Sequence, residues 1–289
     1  MKHGGIVHRA TMILPYGIKT VLGYKYKQLM YFSYLKRKFG TRFKPRGPGP
    51  IAPPELIETE ALMYVDELKV RKKPEWYFGS GYREAWTVLT TVEQYGAPVE
   101  AMKSVLEFGC GSGRVIRHFR YIEGLRLAGT DANSKPIEWN RKKLSGIEFD
   151  HNELEPPLAY PDGSFDLVYA LSVFTHIPLE WQRAWLDELR RVLRPGGYLL
   201  CTVHGDDHSS RQLDDQDRAT LERDGKLTLD AKNPRASFSS QVLGSWDVYQ
   251  TRDQVREAFS AGLELLCYTS HEAAAGQDTL VLRKSAGAG

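Results

Sequence analysis

The first 54 residues of this 289-residue chain contain no aspartate or glutamate, although the whole carries 36 acidic residues against 39 basic ones. Eleven of the basic residues fall in that stretch, which leaves a net acidic remainder of 28 lysines and arginines against all 36 carboxylates. Cysteine is sparse too: Cys110, Cys201 and Cys267 lie far apart, and none forms a CxxC pair. These spacings argue against a disulfide framework and a structural zinc site, no metal is expected, and each thiol reads as a small buried hydrophobe in a reducing cytosol. No apolar run approaches the ~18 residues of a spanning helix, and the apolar stretch at 11–14 is too short for a secretory signal. Internal repeats are absent. The expectation is a cytoplasmic protein with one large α/β domain plus extensions, because the length exceeds the ~100 to 200 residues usual for one domain.

The acid-free arm is aromatic as well as basic. Ile18, Val21, Leu22, Leu29, Phe32, Leu35 and Phe39 recur near helical spacing with lysines between them. Such a helix either packs on its own domain with solvated lysines, or lies on an anionic membrane surface, at the inner face, through residues 1–46. Nucleic-acid contact through lysines and tyrosines ranks below both. Residues 47–54, with four prolines and two glycines, read as a linker that closes the arm at 1–54. Helical patterns at 55–72 and 81–95 mark a helical cap region over 55–102. Residues 77–82 read as an irregular aromatic turn, with Tyr77, Tyr82 and Trp86 either shaping a pocket lid or filling a core.

The most informative stretch is 105–113, Val-Leu-Glu-Phe-Gly-Cys-Gly-Ser-Gly, in which an apolar strand meets an acidic residue and three alternate glycines. Glycines allow positive φ and, lacking Cβ, let backbone approach a ligand at the mouth of a helix expected over 114–121. A dinucleotide fingerprint needs a glycine at the sixth position, where Arg114 stands, and Glu107 would repel phosphate. A carboxylate there suits a ligand with a cationic end.

The pattern Glu107, Gly109, Gly111, Gly113 resembles the loop after the first strand of class I S-adenosylmethionine-dependent methyltransferases. Three further stretches fit that family in its order: 125–131 ending at Asp131, 164–176 ending at His176, and 189–198, Leu-Arg-Arg-Val-Leu-Arg-Pro-Gly-Gly-Tyr, which reads as a helix, a stop and a strand. The resemblance implies S-adenosyl-L-methionine as cofactor. It places Glu107, Gly109, Cys110, Gly111 and Gly113 at the loop, Asp131 and Ala132 at the ribose, Asn152 and Glu153 near the adenine, and Leu171 and Ser172 beside the methionine moiety. Asn152 stands where the family often has an acidic residue.

The implied fold is a Rossmann-like, doubly wound seven-stranded sheet, mostly parallel with one antiparallel strand, over 103–289 and preceded by an N-terminal helical extension. The alternation of strand and helix patterns along the chain agrees, with strands at 103–108, 125–130, 147–151, 166–171, 197–203, 263–269 and 278–283 and helices in most intervals. The pattern lapses at 205–249, an insertion that reads either as a cover for the methyl acceptor or as a surface loop. The implied reaction is SN2 transfer to an oxygen or nitrogen of a small molecule or glycan, the glycan because 276–284 resembles members of glycan pathways. His176 is the candidate base for a hydroxyl acceptor; its competing role is to cap or brace a helix starting near Leu179. His204 and His271 are weaker candidates. Two other classes stay open: a non-catalytic S-adenosylmethionine-binding scaffold, and an NAD-dependent oxidoreductase disfavoured by Arg114. The acceptor's identity and the oligomeric state are not fixed by these residues.

Overall fold

Neighbouring residues on a strand face opposite ways, so a sheet covered on both sides needs continuous apolar strands. The computed structural model describes residues 16–53, 56, 74–206, 213–234, 236, 246–260, 262–270 and 277–286. Its strands are β1 (Ser104–Phe108), β2 (Arg126–Asp131), β3 (Glu148–His151), β4 (Phe165–Ala170), β5 (Leu193–Val203), β6 (Lys226–Asp230), β7 (Trp246–Gln250), β8 (Glu264–Thr269) and β9 (Asp278–Arg283). Seven form the main sheet in the order β3-β2-β1-β4-β5-β9-β8, with β9 antiparallel to both its neighbours and the other pairings parallel. This is the expected doubly wound sheet with one reversed strand. The helices are α1 (Tyr16–Phe39), α2 (Pro74–Gln94), α3 (Ser134–Lys143), α4 (Leu179–Val192), α5 (Asp215–Asp224) and α6 (Arg252–Phe259).

Strand alternation divides the core between two faces. Val105, Leu167, Tyr169, Leu200 and Val281 join one apolar cluster with Leu35 of α1, Val88 of α2 and Ile137 of α3. Their neighbours Leu106, Val168, Ala170, Cys201 and Leu280 join another with Trp185 of α4 and Phe259 of α6. The three cysteines are buried and free, as their apolar settings suggested.

The N-terminal helix belongs to the first cluster; the proline-rich segment after it does not hold it apart. Tyr31, Tyr34, Leu35 and Phe39 are buried. The Tyr31 hydroxyl donates to the His118 carbonyl at 3.0 Å, the Tyr34 hydroxyl to Glu93 Oε2 at 2.9 Å, and Lys38 pairs with Glu93 and Glu100. The segment is tied down as well, since Arg117 donates to Pro50 O at 2.6 Å and Arg120 to Pro48 O at 3.3 Å. Of the two expected cap helices, 55–72 lies almost wholly outside the described residues. The other starts earlier than expected, because α2 runs unbroken through 77–82. Gly81 serves close packing here, not a turn: a Cβ would collide with Arg114 O and the His118 ring. The 189–198 stretch also differs, since β5 begins at Leu193 directly after α4 and contains Pro195, Gly196 and Gly197. The register shifts between Phe165 and Leu167 of β4 to absorb the extra residues.

His118 sits fully buried beneath α2, its ring centroid 4.0 Å from that of Tyr82. Burial first, then the charges of Arg117, Arg114 and Arg120, hold it well below its ordinary 6.5. It stays neutral in the fold, whereas the unfolded chain binds a proton there below that pH. Stability is expected to be lost as pH falls below about 6.5, at up to about 1.4 kcal/mol per pH unit from this residue. Urea unfolding of wild type and His118→Gln across this range checks it; equal pH slopes would remove the attribution.

Candidate functional site

Residues 109–113 leave β1 with φ of +77° at Gly109, +46° at Gly111 and +68° at Gly113, the left-handed conformation that alternate glycines permit. The Thr130 carbonyl at the end of β2 accepts from the amides of both Gly109 (2.8 Å) and Cys110 (2.9 Å). Asp131 adds its side chain: Oδ2 accepts from Gly111 N at 2.7 Å and Oδ1 from Asn133 N at 2.8 Å. Asn140 of α3 donates to Gly111 O at 2.8 Å, and the Tyr77 and Ser112 hydroxyls lie 2.8 Å apart. Two glycines face protein instead of open space. A Cβ on Gly109 would collide with Val173 Cγ2, and one on Gly113 would stand 2.8 Å from Leu144 Cδ1.

The stretch after the loop departs from the expected helix. In an α-helix the carbonyls of Ser112 and Gly113 would accept from the amides of residues 116 and 117. Here the Arg117 guanidinium takes both, Nη2 to Ser112 O at 2.9 Å and Nε to Gly113 O at 2.7 Å, and Ile116 N turns to Glu107 Oε2 at 2.9 Å. A six-residue 3₁₀ helix at Ile116–Tyr121 results. Arg117 is fully buried, with the Tyr77, Phe78 and Trp139 rings 5.0 to 5.9 Å away. Glu107 is 4 % exposed; burial and then this carboxylate push the Tyr169 hydroxyl well above its ordinary range.

The remaining candidates gather on the same edge. Ala132 is exposed, its carbonyl 3.1 Å from His151 Nε2. Asn152 is buried at the end of β3, where Oδ1 accepts from Thr130 Oγ1 at 2.7 Å and Nδ2 donates to the carbonyl of exposed Glu153 at 2.7 Å. It therefore braces the ends of β2 and β3. Leu171 and Ser172 follow β4, half-buried, and Ser172 has φ +58°, a conformation that costs a serine energy. Its amide donates to Thr202 Oγ1 (2.8 Å), and both hydroxyls donate to Gln277 Oε1, Ser172 at 3.0 Å and Thr202 at 2.7 Å.

His176 lies in the turn between β4 and α4 and does not cap the helix, whose N-cap Pro178 makes no side-chain bond. Its Nδ1 instead meets Trp246 O at 2.8 Å and stands 3.9 Å from Asp247 Oδ1. His204, after β5, has its ring 6.4 Å from that of His176 and stacked on Tyr249 at 4.9 Å. His271 lies outside the described residues. Among its described residues the insertion holds α5 and the antiparallel pair β6–β7, and β7 returns to this edge. Sequence reasoning missed Arg117, Asn140, Gln277, Trp246 and Asp247. The one available signal was Leu227 and Leu229 alternating with Lys226, Thr228 and Asp230, the period of a strand.

The donor set suits the cofactor that the resemblance implies. A part-exposed, acceptor-only carboxylate held by two backbone amides, as at Asp131, matches a pair of ribose hydroxyls, and a second carboxylate at Glu107 matches a cationic group.

A family model described as a methyltransferase domain matches residues 82–241, more than half of the chain. The chain is 31% identical to 27-O-demethylrifamycin SV methyltransferase of Amycolatopsis mediterranei over 40% of this chain and 44% of that protein. It is 36% identical to a fatty-acid O-methyltransferase of Mycolicibacterium smegmatis over 35% and 36% of the two chains. The chain thus spans less than half the length of these curated relatives. The PH0226 protein of Pyrococcus horikoshii OT3 shares the fold, with a TM-score of 0.51 at 16% identity over 80% of this chain and 97% of that one.

The Gly109 contact yields a stability test. Gly109→Ala is expected to cost about 2 kcal/mol or more in urea unfolding, from left-handed strain plus the collision with Val173. Val173→Ala in the same chain should recover part of the loss. A double variant no better than Gly109→Ala would assign the whole cost to backbone strain.

Proposed function

The chain belongs to the class I S-adenosylmethionine-dependent methyltransferase family, and on that premise we propose that it methylates an oxygen of a small, hydroxyl-bearing molecule, with His176 as the base. The observation that carries the reading is the pinning of the glycine loop by Thr130 and Asp131, on the edge where Glu107, Ser172 and His176 also stand. S-adenosylmethionine, when bound, supplies a methyl group on a sulfonium that is already electrophilic. Glu107 with Gly109, Cys110, Gly111 and Gly113 would hold its amino-acid end, Asp131 and Ala132 its ribose, Asn152 and Glu153 its base, and Leu171 and Ser172 would border its reacting end. With the donor so activated, the protein's tasks are alignment, exclusion of water, and removal of one proton from an un-ionised acceptor.

Support for oxygen as the acceptor atom comes from one relative named an O-methyltransferase and another whose name carries a 27-O-demethyl compound. A sugar hydroxyl falls within the same chemistry. Peripheral contact with an anionic membrane is a second reading, favoured by the exposed side of α1. There Lys25, Lys36 and Arg37 flank Leu29, 63% exposed, and Tyr26, 36% exposed, at turn spacing with no acidic side chain on the helix. Among the described residues no helix is long and apolar enough to cross a membrane.

Asp131→Ala and Glu107→Ala are each expected to weaken S-adenosylhomocysteine binding by at least about 1 kcal/mol, roughly fivefold, since each deletes a charge-assisted contact. Equilibrium dialysis reads this, and wild-type affinity in both would refute the assigned roles. For the membrane, removing α1 would expose the core, so the test reverses charge instead. Lys25→Glu, Lys36→Glu and Arg37→Glu together should abolish co-sedimentation with phosphatidylglycerol vesicles; pelleting equal to wild type would eliminate the contact.

A further inference from the structure

The strand β7 is fastened across the ends of β4 and β5 at the two histidine positions. Val248 N donates to Thr175 O at 2.9 Å, and Gln250 N donates to His204 O at 3.1 Å. One residue beyond Thr175, His176 Nδ1 lies 2.8 Å from Trp246 O. A carbonyl oxygen only accepts, so Nδ1 carries the proton, and in the neutral ring Nε2 is then the basic nitrogen. The Asp247 carboxylate is 3.9 Å from Nδ1 and 0% exposed. A buried negative charge beside Nδ1–H favours that tautomer and stabilises the imidazolium formed when Nε2 takes a proton. Trp246 also meets Trp181 of α4 edge-on, with centroids 5.8 Å apart, which ties β7 to the helix following His176. All of β7 lies beyond residue 241, where the family match ends.

We propose that β7 is a working part of the catalytic site: Asp247 is a positioning residue that, with the Trp246 carbonyl, presets His176 as an Nε2 base. The proposal rests on the functional reading above and narrows its acceptor to an alcohol or phenol. A carboxylate is already ionised near neutral pH and needs no base, whereas a hydroxyl must lose its proton. The O–H bond breaks with its proton passing to Nε2, and its electron pair stays on oxygen to form the bond to the methyl carbon. The pair of the broken carbon–sulfur bond remains on sulfur, and His176 returns its proton to solvent.

Nitrogen-15 imidazole spectra of the full-length, histidine-labelled protein test this without any acceptor. Wild type should show His176 with a protonated Nδ1 and a lone pair on Nε2. Asp247→Asn should keep the Nδ1 proton, which the Trp246 carbonyl holds, but lower the ratio of imidazolium to neutral ring at a given pH at least about tenfold, because the opposite charge beside the ring is lost. Asp247→Glu, which keeps the charge, should hold the wild-type ratio, and neither variant should change S-adenosylhomocysteine affinity by more than about twofold, since Asp247 is assigned no contact with the donor. An Nε2–H tautomer in wild type, or a wild-type imidazolium ratio in a folded Asp247→Asn, would overturn the proposal. Should Asp247→Asn fail to fold, loss of the wild-type ratio in Asp247→Glu would overturn it and retention would support it. Failure of the wild type to bind S-adenosylhomocysteine would instead strike the functional reading, leaving the tautomer result to stand by itself.

Discussion

The end of β2 is the constraint on which the site depends. The Thr130 carbonyl holds two successive loop amides, its hydroxyl donates to Asn152, and the next residue, Asp131, takes a third loop amide. These bonds exist because the parallel register sets Phe108 opposite Thr130, so that the loop leaves β1 where β2 ends. A slip of one residue would turn every side chain of β2 to the other face, lifting Asp131 from the loop and Leu127 from the core. Fold and site are therefore fixed by the same register.

Buried polar side chains replace backbone bonds around that constraint. Arg117 satisfies the carbonyls of Ser112, Gly113 and Pro50 and touches the Tyr77 hydroxyl at 3.0 Å. Removing the guanidinium would leave buried carbonyls short of a donor, at a cost of about 1–3 kcal/mol for each one left unsatisfied. The same region receives α1, through Tyr31 at the His118 carbonyl, and α2, through Tyr77 and Tyr82. The N-terminal helices thus support the underside of the donor loop as well as covering one face of the sheet.

Local pattern made part of this legible. The continuous apolar strands, the three glycines behind Glu107, and Asp131 at the next strand end each carry a signal in their own neighbourhood. What stayed hidden depends on contacts distant in the chain. Residues 77–82 read as a turn because nothing local shows that Arg114 and His118 press against Gly81. The 3₁₀ turn arises because the Arg117 side chain competes with backbone amides for two carbonyls, which no propensity scale contains. The partner of His176 lies 70 residues on, in a strand whose five residues gave little period to read. Asn152 was placed correctly at its strand end, but its amide is engaged with Thr130 and Glu153.

The catalytic account joins a donor half built from β1 and β2 to an acceptor half built from the ends of β4 and β5, with Ser172, Thr202 and Gln277 bonded between them. Its central claim is that the loop behind Glu107 receives a nucleoside with a cationic amino-acid end, not a pyrophosphate. Calorimetric titration of the full chain with S-adenosylhomocysteine, with NAD in parallel, tests that claim most directly. The account predicts micromolar binding of S-adenosylhomocysteine and none of NAD; NAD binding, or silence from both, would contradict it.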